Sequence, residues 1–263
     1  MKKIVLIIVV MLFAVLFSVS GQVDAKPQTV YKNYVSMVTQ PIQPYYGLAM
    51  AVPNNWDLLD LGVGWWYVWG PTGNVPMLWA GDYSSSIPSN YSGWILFLNE
   101  PNEDSQSDMS PSEAITKLIA RKLDYPSAKF ICCGISNNGA LWHEVFYAIG
   151  GRPDAWSVHN YVSGTNPTAA TLIAQNDYLH NITGGDYWIT EYGSMNGVLS
   201  EFTQLTESYK QRSWIKRIAP YTNRQPHTGE PWELPSGVEL YNYQTGVIKE
   251  IGSYYRSLAN IAP

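Results

Sequence analysis

The sequence predicts an α/β fold, specifically a shortened (β/α)8 barrel, from two observations. Eight short apolar segments bounded by turn residues lie along the chain, and eight is the number of strands in a closed parallel barrel. Several segments are apolar throughout, as expected of strands that are covered on both faces. The predicted strands are Tyr46–Ala51, Val63–Trp69, Pro76–Ala80, Ile95–Glu100, Lys129–Gly134, Ala155–Tyr161, Tyr187–Tyr192 and Val238–Tyr243.

Helical patterns follow the fourth to eighth predicted strands, which is the order of successive βα units. The clearest start is at Ser110, where an N-cap, a first-turn proline and Glu113 precede an apolar pattern. The predicted helices are Ala114–Leu123, Leu141–Ile149, Ala169–His180, Phe202–Ile218 and Val247–Leu258. Residues 69–74 and 81–93 are rich in turn formers, so we expect the helices after strands two and three to be missing or vestigial.

The amino terminus has the pattern of a secretory signal peptide. Lys2 and Lys3 precede an apolar run over residues 4–17, and Ala25 offers a small residue at a cleavage site. We therefore expect a signal peptide over residues 1–25 and a single catalytic domain over 26–263, secreted and monomeric. An uncleaved amino-terminal anchor is the alternative, but no later stretch is apolar enough to cross a bilayer.

Charge and aromatic content point to a neutral ligand. The net charge of −5 and the pI near 5.3 disfavour nucleic acid, which is bound through clustered Lys and Arg. The chain has 11 Trp and 19 Tyr against 6 Phe, and flat, half-polar rings of this kind stack on sugars in wet clefts. For any single ring, packing in the core is the competing interpretation. Cys132 and Cys133 are neighbours in a predicted strand, where side chains point to opposite faces, so no disulfide is expected.

Two predicted strands end in a glutamate at the side where barrel enzymes carry their active sites. Glu100 follows an apolar run and precedes Pro101, and Glu191 ends the run from Tyr187. Cleavage of a glycosidic bond uses two carboxyl groups, and a separation of ~5 to 5.5 Å distinguishes retention from inversion of the anomeric centre. This pair predicts a glycosidase. The competing interpretation is two ordinary polar strand ends.

Four ordered motifs resemble those of glycoside hydrolase family 128, within the retaining (β/α)8-barrel clan. They are Trp65-Trp66-Tyr67-Val68-Trp69-Gly70-Pro71, Pro76-Met77-Leu78-Trp79, Asn99-Glu100-Pro101 and Gln106-Ser107-Asp108-Met109-Ser110-Pro111. The resemblance implies a shortened barrel and endo-β-1,3-glucanase activity, with Glu100 as acid/base and Glu191 as nucleophile. It also implies that Asn99 hydrogen-bonds the sugar 2-hydroxyl. Val68, Asn102 and Asp108 depart from the family pattern, which leaves the exact glucan and its subsites open.

Further residues are expected to contact a β-glucan polysaccharide or oligosaccharide. His159 and Tyr161 are two apart on one strand face, near the predicted mouth. The aromatic candidates are Trp65, Trp69, Trp79, Tyr192 and Trp232. The other histidines share no ligand spacing with one another or with Cys, and no glycine-rich phosphate loop follows a strand. We therefore expect neither a metal nor a cofactor.

Two alternatives remain open from sequence. One is a different retaining glycosidase of the same clan, a β-1,4-mannanase or cellulase, because the shared machinery does not determine the sugar. The other is a carbohydrate-binding barrel without activity.

Overall fold

The computed structural model describes residues 45–230 and 233–259, and within them eight strands and six α-helices follow one another. The strands are β1 (Gly47–Ala49), β2 (Trp65–Tyr67), β3 (Met77–Leu78), β4 (Trp94–Phe97), β5 (Lys129–Ile135), β6 (Ala155–Val162), β7 (Tyr187–Ser194) and β8 (Ile215–Ile218). The helices are α1 (Asn55–Leu61), α2 (Pro111–Asp124), α3 (Ala140–Ala148), α4 (Ala169–Thr183), α5 (Leu199–Lys210) and α6 (Glu250–Ala259). A 3-10 turn, Ser236–Val238, lies between β8 and α6.

The strands are parallel and stand in sequence order around the barrel. Strands β3 to β8 form one six-stranded sheet, and β1 pairs with β2 in a second. Parallel bridges from Tyr46 to Ile218 and from Ala49 to Tyr221 bring β1 against β8. No ladder joins β2 to β3 within the described residues, and the Val75 amide instead donates to the Trp66 carbonyl at 3.2 Å. The α/β barrel prediction is confirmed, with this seam as its irregular side.

The connections on that side are short. A helix, α1, follows β1, but no helix of the described residues lies between β2 and β3 or between β3 and β4. The prediction of missing helices after strands two and three is therefore confirmed. The described residues also include no helix that is both long and apolar enough to span a membrane.

The eighth strand was predicted wrongly. We expected Val238–Tyr243, but β8 is Ile215–Ile218, which lies inside the segment predicted as the helix 202–218. That helix ends at Lys210. The pattern misleads because Arg217 is polar yet lies over the Trp188 ring, 4.2 Å from its centroid. A cation stacked on an aromatic face can occupy a barrel interior that sequence patterns assign to apolar residues.

The residues that predicted α2 act as expected. The Ser110 side chain accepts from the Glu113 amide, and the Glu113 side chain accepts from the Ser110 amide, which completes a capping box. This helix buries Ala114 and Leu118 against the barrel. It therefore fixes the carboxyl-terminal end of the loop that begins at β4.

Cys132 and Cys133 differ from expectation. They are joined by a disulfide, whereas the alternation of a regular strand predicts diverging side chains. The strand is not regular here, because its register against β6 shifts between Cys132 and Ile135, and the Cα atoms of the two cysteines are 3.0 Å apart. Both residues are buried in the core.

Candidate active site

Glu100 lies just beyond β4, held by the backbone of the neighbouring strand. Its amide donates to the Gly134 carbonyl of β5 at 3.0 Å. Leu98 and Glu100 both have positive φ, 66° and 44°, a conformation that is unfavourable for residues with a Cβ. Backbone strain of this kind concentrates at functional sites, where the surrounding structure imposes it. The Glu100 side chain is 15% exposed and faces the barrel mouth.

Glu191 lies within β7 and is 6% exposed. Three aromatic side chains donate to its carboxylate. Tyr67 Oη and Trp69 Nε1 reach Oε1 at 2.9 and 3.0 Å, and Tyr161 Oη reaches Oε2 at 2.5 Å. No Lys or Arg is among these partners, so neutral hydrogen bonds hold this carboxylate in place.

His159 lies between the two carboxylates and is 1% exposed. Its Nδ1 is 2.8 Å from Glu100 Oε1, and its Nε2 is 3.5 Å from Glu191 Oε1. One oxygen of each glutamate and one ring nitrogen of His159 lie within 4.8 Å of one another. The two strand-end carboxylates therefore converge on one small volume, as the sequence predicted.

Burial and charge shift the titration of this group. Burial raises the pKa of Glu191, while His159, Tyr161 and Tyr67 act to lower it. Burial also opposes the charged form of His159, but the carboxylates of Glu191 and Glu100 outweigh it and raise the pKa of His159. A proton is therefore readily held within the trio, which is the property that general acid–base chemistry needs.

A cleft of about 450 Å³ opens above these residues. Its lining is Ala51, Trp69, Trp79, Asn99, Glu100, Ser105, Gln106, Tyr161, Glu191, Tyr221 and Leu234. Aromatic rings and neutral polar groups dominate, and among the described residues no cationic side chain lines the cleft. The Asn99 Oδ1 atom is buried without a partner, while its amide nitrogen donates to Gln106 Oε1 at 3.0 Å. The cleft is thus suited to a neutral polyhydroxylated ligand.

The structure brings most of the predicted residues together and separates others. Asn99, Trp69, Trp79 and Tyr161 line the cleft with the two glutamates, and His159 lies just beneath it. Two predicted aromatic contacts lie elsewhere. Trp65 is 1% exposed in the barrel interior, where it packs against Trp188.

Tyr192 faces outward from β7. Its ring stacks on Phe202 of α5 at 4.8 Å, and its hydroxyl pairs with Thr206. Neither Tyr192 nor Trp65 is in the cleft lining, which corrects the expectation that they contact sugar. Trp232 lies outside the described residues, so its assignment stays a prediction.

Sequence reasoning missed Tyr67, Tyr221, Gln106 and Leu234. Tyr67 shares one strand face with Trp65 and Trp69 by alternation, but nothing in the pattern marked its hydroxyl. Tyr221 follows β8 and was missed because that strand was misassigned. Leu234 lies in the long segment between β8 and α6, which carries no periodic pattern.

The trio Glu100, His159 and Glu191 is also the group of described residues in which three possible metal ligands converge. The possible metal-ligating atoms already make hydrogen bonds, since His159 Nδ1 pairs with Glu100 and three side chains donate to Glu191. Two carboxylates beside one histidine are also an arrangement suited to proton transfer.

Residues 46–255 match the family described as glycosyl hydrolase catalytic core. The chain belongs to this family. No curated protein sequence shows significant similarity to this glycosyl hydrolase. The enzyme prediction is confirmed at the level of glycoside hydrolysis.

Solved structures share the fold of this glycosyl hydrolase. A subgroup I family 128 endo-β-1,3-glucanase from Amycolatopsis mediterranei, in complex with laminaritriose, has a TM-score of 0.66 at 19% identity, covering 81% of this chain and 99% of that one. A subgroup II enzyme from Pseudomonas viridiflava scores 0.61 at 23% identity, covering 81% and 97%. A subgroup IV enzyme from Lentinula edodes scores 0.65 at 18% identity, covering 81% and 99%. The shared fold agrees with the family 128 resemblance of the four motifs.

Proposed function

We propose that this glycosyl hydrolase is a retaining endo-β-1,3-glucanase. The observation that carries the mechanism is the convergence of Glu100, Glu191 and His159 within 4.8 Å. Retaining enzymes hold their two carboxyl groups ~5 to 5.5 Å apart, and inverting enzymes hold them ~6.5 to 9.5 Å apart to admit a water. The close approach favours retention.

In this mechanism Glu100 protonates the leaving oxygen and Glu191 attacks the anomeric carbon. Glu100 then removes a proton from the water that hydrolyses the glycosyl ester, so the two glutamates return to their starting states. Glu100 suits the acid/base role because it is the more exposed of the two and contacts the proton-holding His159. Glu191 suits attack because three fixed donors orient its carboxylate.

The substrate class rests on the cleft and on the neighbours of this fold. A lining of rings and neutral polar groups suits a neutral glucan, and the Amycolatopsis mediterranei structure holds laminaritriose. Asn99 has a free buried Oδ1 beside Glu100, a position from which its amide contacts the sugar 2-hydroxyl. Such a contact contributes to rate when it strengthens in the transition state.

We further propose that the enzyme is secreted and acts as a monomer on glucan outside the cell. The support is the signal-peptide pattern of residues 1–25, which lie outside the described residues. The assignment of residues 26–263 to a single catalytic domain also stays a prediction. Neither a nucleic-acid nor a membrane partner is proposed for the mature enzyme, because the chain is acidic.

The test is digestion of laminarin, β-1,4-mannan and cellulose, with product sizing and NMR of the first anomer released. We expect laminarin to yield oligosaccharides of mixed length with retained β-configuration. Glu100→Gln and Glu191→Gln should each lower kcat by at least about 10³-fold, since each removes a group that acts in the transition state. Preferential cleavage of mannan or cellulose would replace β-1,3-glucan as the proposed substrate. Binding of a glucan without new reducing ends would indicate a non-catalytic barrel.

Azide distinguishes the two glutamates, because it attacks the glycosyl ester in place of water and, unlike water, needs no general base. It should rescue a Glu100→Ala variant on an activated aryl glycoside and yield the β-glycosyl azide. Formation of the α-azide by Glu100→Ala, together with the β-azide by Glu191→Ala, would reverse the assigned roles.

A further inference from the structure

Gln225 is a fully buried polar residue in the segment between β8 and α6, away from the two glutamates. It is 0% exposed, and each of its polar side-chain atoms is paired. Its Oε1 accepts from Tyr221 Oη at 2.9 Å and from the Leu234 amide at 3.3 Å. Its Nε2 donates to the Leu234 carbonyl. One amide therefore joins two parts of the chain that are thirteen residues apart.

Both of these partners line the cleft. Tyr221 packs edge-on against Trp69, with ring centroids 5.4 Å apart, and lies 6.0 Å from the Tyr161 ring. Leu234 forms part of the same lining. Gln225 itself is not in the lining, so it touches the wall of the cleft from behind.

A buried carboxylate anchors Gln225 in turn. Glu239 is 1% exposed, and its Oε1 accepts from the backbone N–H of Gln225 at 3.0 Å. Lys249 donates to Glu239 Oε2 at 2.8 Å, and His227 Nε2 is 3.1 Å from Oε1. Because a paired buried charge is expensive to displace, this cluster gives Gln225 a fixed base. The contacts run unbroken from Lys249 through Glu239 and Gln225 to the cleft.

We propose that Gln225 is a positioning residue: it holds Tyr221 and Leu234, two residues of the cleft wall, in place and so sets the affinity for the saccharide chain. The inference rests on the proposed function. No hydrogen bond of Gln225 reaches Glu100, Glu191 or His159 among the described residues, so Gln225 meets the carboxylates only through the ring contacts of Tyr221 with Trp69 and Tyr161. The donors to Glu191 stay in place when Gln225 is lost, so we expect binding of the saccharide to weaken much more than the bond-breaking step.

The test uses Gln225→Leu, Tyr221→Phe and the double variant on laminarihexaose. Each single change removes the hydrogen bond between Tyr221 and Gln225, and net hydrogen-bond contributions correspond to a KM increase of roughly three- to tenfold. We expect kcat to stay within about twofold of the wild type. Since both changes break one contact, the double variant should raise KM no further than Gln225→Leu does, which is the signature of a shared path.

Tyr125→Phe is the matched control. Tyr125 is buried, and its hydroxyl donates to the Ser84 carbonyl at 2.7 Å and thereby anchors a loop that does not line the cleft. This variant should lower the melting temperature and leave KM unchanged. An equal KM increase in the control would overturn the proposal, because general loosening would then explain the effect.

The remaining outcomes separate this inference from the proposed function. An active wild type with unchanged KM in both single variants overturns the positioning role alone. A parallel fall of kcat also overturns it, since the residue would then act on the chemical step. If Gln225→Leu fails to fold, Tyr221→Phe decides through its own KM. If the wild type cleaves none of the glucans, the proposed function fails and this inference fails with it.

Discussion

Replacing Tyr67 by Phe isolates the contribution of a single hydroxyl to the state of Glu191. The ring is 0% exposed and stacks over Trp65 at 6.3 Å, so Phe preserves the packing. The hydroxyl has one proton and two acceptors, Glu191 Oε1 at 2.9 Å and the Thr190 carbonyl at 3.0 Å. The substitution therefore removes a donor to the carboxylate without opening a large cavity.

The magnitude follows from these two contacts. A hydrogen bond to a charged group contributes about 1.5 to 3 kcal/mol, and sharing with Thr190 favours the lower end. Burial raises the pKa of Glu191, and the Tyr67 bond is among the contacts that oppose this rise. Loss of the bond therefore raises this pKa further, and at about 1.4 kcal/mol for each tenfold change it lowers the ionised fraction of Glu191 about tenfold on the acid side.

The proposed mechanism requires ionised Glu191, so a higher pKa moves the acid limb of kcat/KM to higher pH. On that limb, kcat/KM of Tyr67→Phe should fall about tenfold at a given pH, with a smaller change on the plateau. The assay is kcat/KM against pH on a laminari-oligosaccharide, with Tyr125→Phe as the buried control. An acid limb at the wild-type pH, in a folded Tyr67→Phe variant, would refute the assignment of this hydroxyl to Glu191.

Gly134→Ala should lower stability by about 1 to 3 kcal/mol and reduce kcat, because Gly134 has φ +54° and an added Cβ would lie 2.9 Å from His159 Nε2. Urea unfolding and kcat together check this, and wild-type values for both would contradict it. Burial lowers the pKa of His143 to about 3, so below pH ~6.5 the unfolded chain binds a proton that the folded chain does not. The free energy of unfolding therefore decreases as the pH is lowered. At pH ~4.5 the loss from this group is about 3 kcal/mol, and His143→Phe should flatten this part of the stability–pH curve measured by urea unfolding. Asp57→Asn should lower the free energy of unfolding in urea by about 3 to 5 kcal/mol, because Arg224 loses its counter-charge. Arg224 donates to the two Asp57 carboxylate oxygens at 2.7 and 2.8 Å. A decrease under about 1 kcal/mol would show that the ion pair is dispensable.

The two glutamates could be predicted because each follows an apolar run whose own residues determine a strand. The runs before Glu100 and Glu191 are apolar on both faces, as parallel strands under helices must be. Their carboxyl ends share one side of the barrel whatever the loops do. Local pattern and global topology agree at these two positions.

The eighth strand could not be predicted from its own residues. Ile215 and Ile218 flank Lys216 and Arg217, a pattern that fits the end of an amphipathic helix better than a barrel strand. The interior position of Arg217 depends on the Trp188 ring beneath it, a partner 29 residues earlier in the chain. Tertiary contacts therefore determine this strand, and because it was misassigned, Tyr221 just after it was not predicted as a cleft residue.

The sequence pattern also does not show how deep in the barrel each inward-facing side chain lies. Trp65, Tyr67 and Trp69 alternate along β2 and the residues just after it, so their side chains share one face. Only Trp69 reaches the cleft, because Trp65 lies deep in the interior and Tyr67 between them. Alternation specifies the face of a strand, but the level along the barrel axis depends on how the strands are staggered.

Trp69 presents its ring to the cleft while its indole N–H holds Glu191. In the proposed mechanism one side chain therefore serves both sugar binding and the orientation of Glu191, so a substitution of Trp69 changes both. Attempts to redirect the proposed activity to new sugars should leave Trp69 unchanged and start from Trp79 or Leu234, neither of which is a hydrogen-bond donor to Glu191.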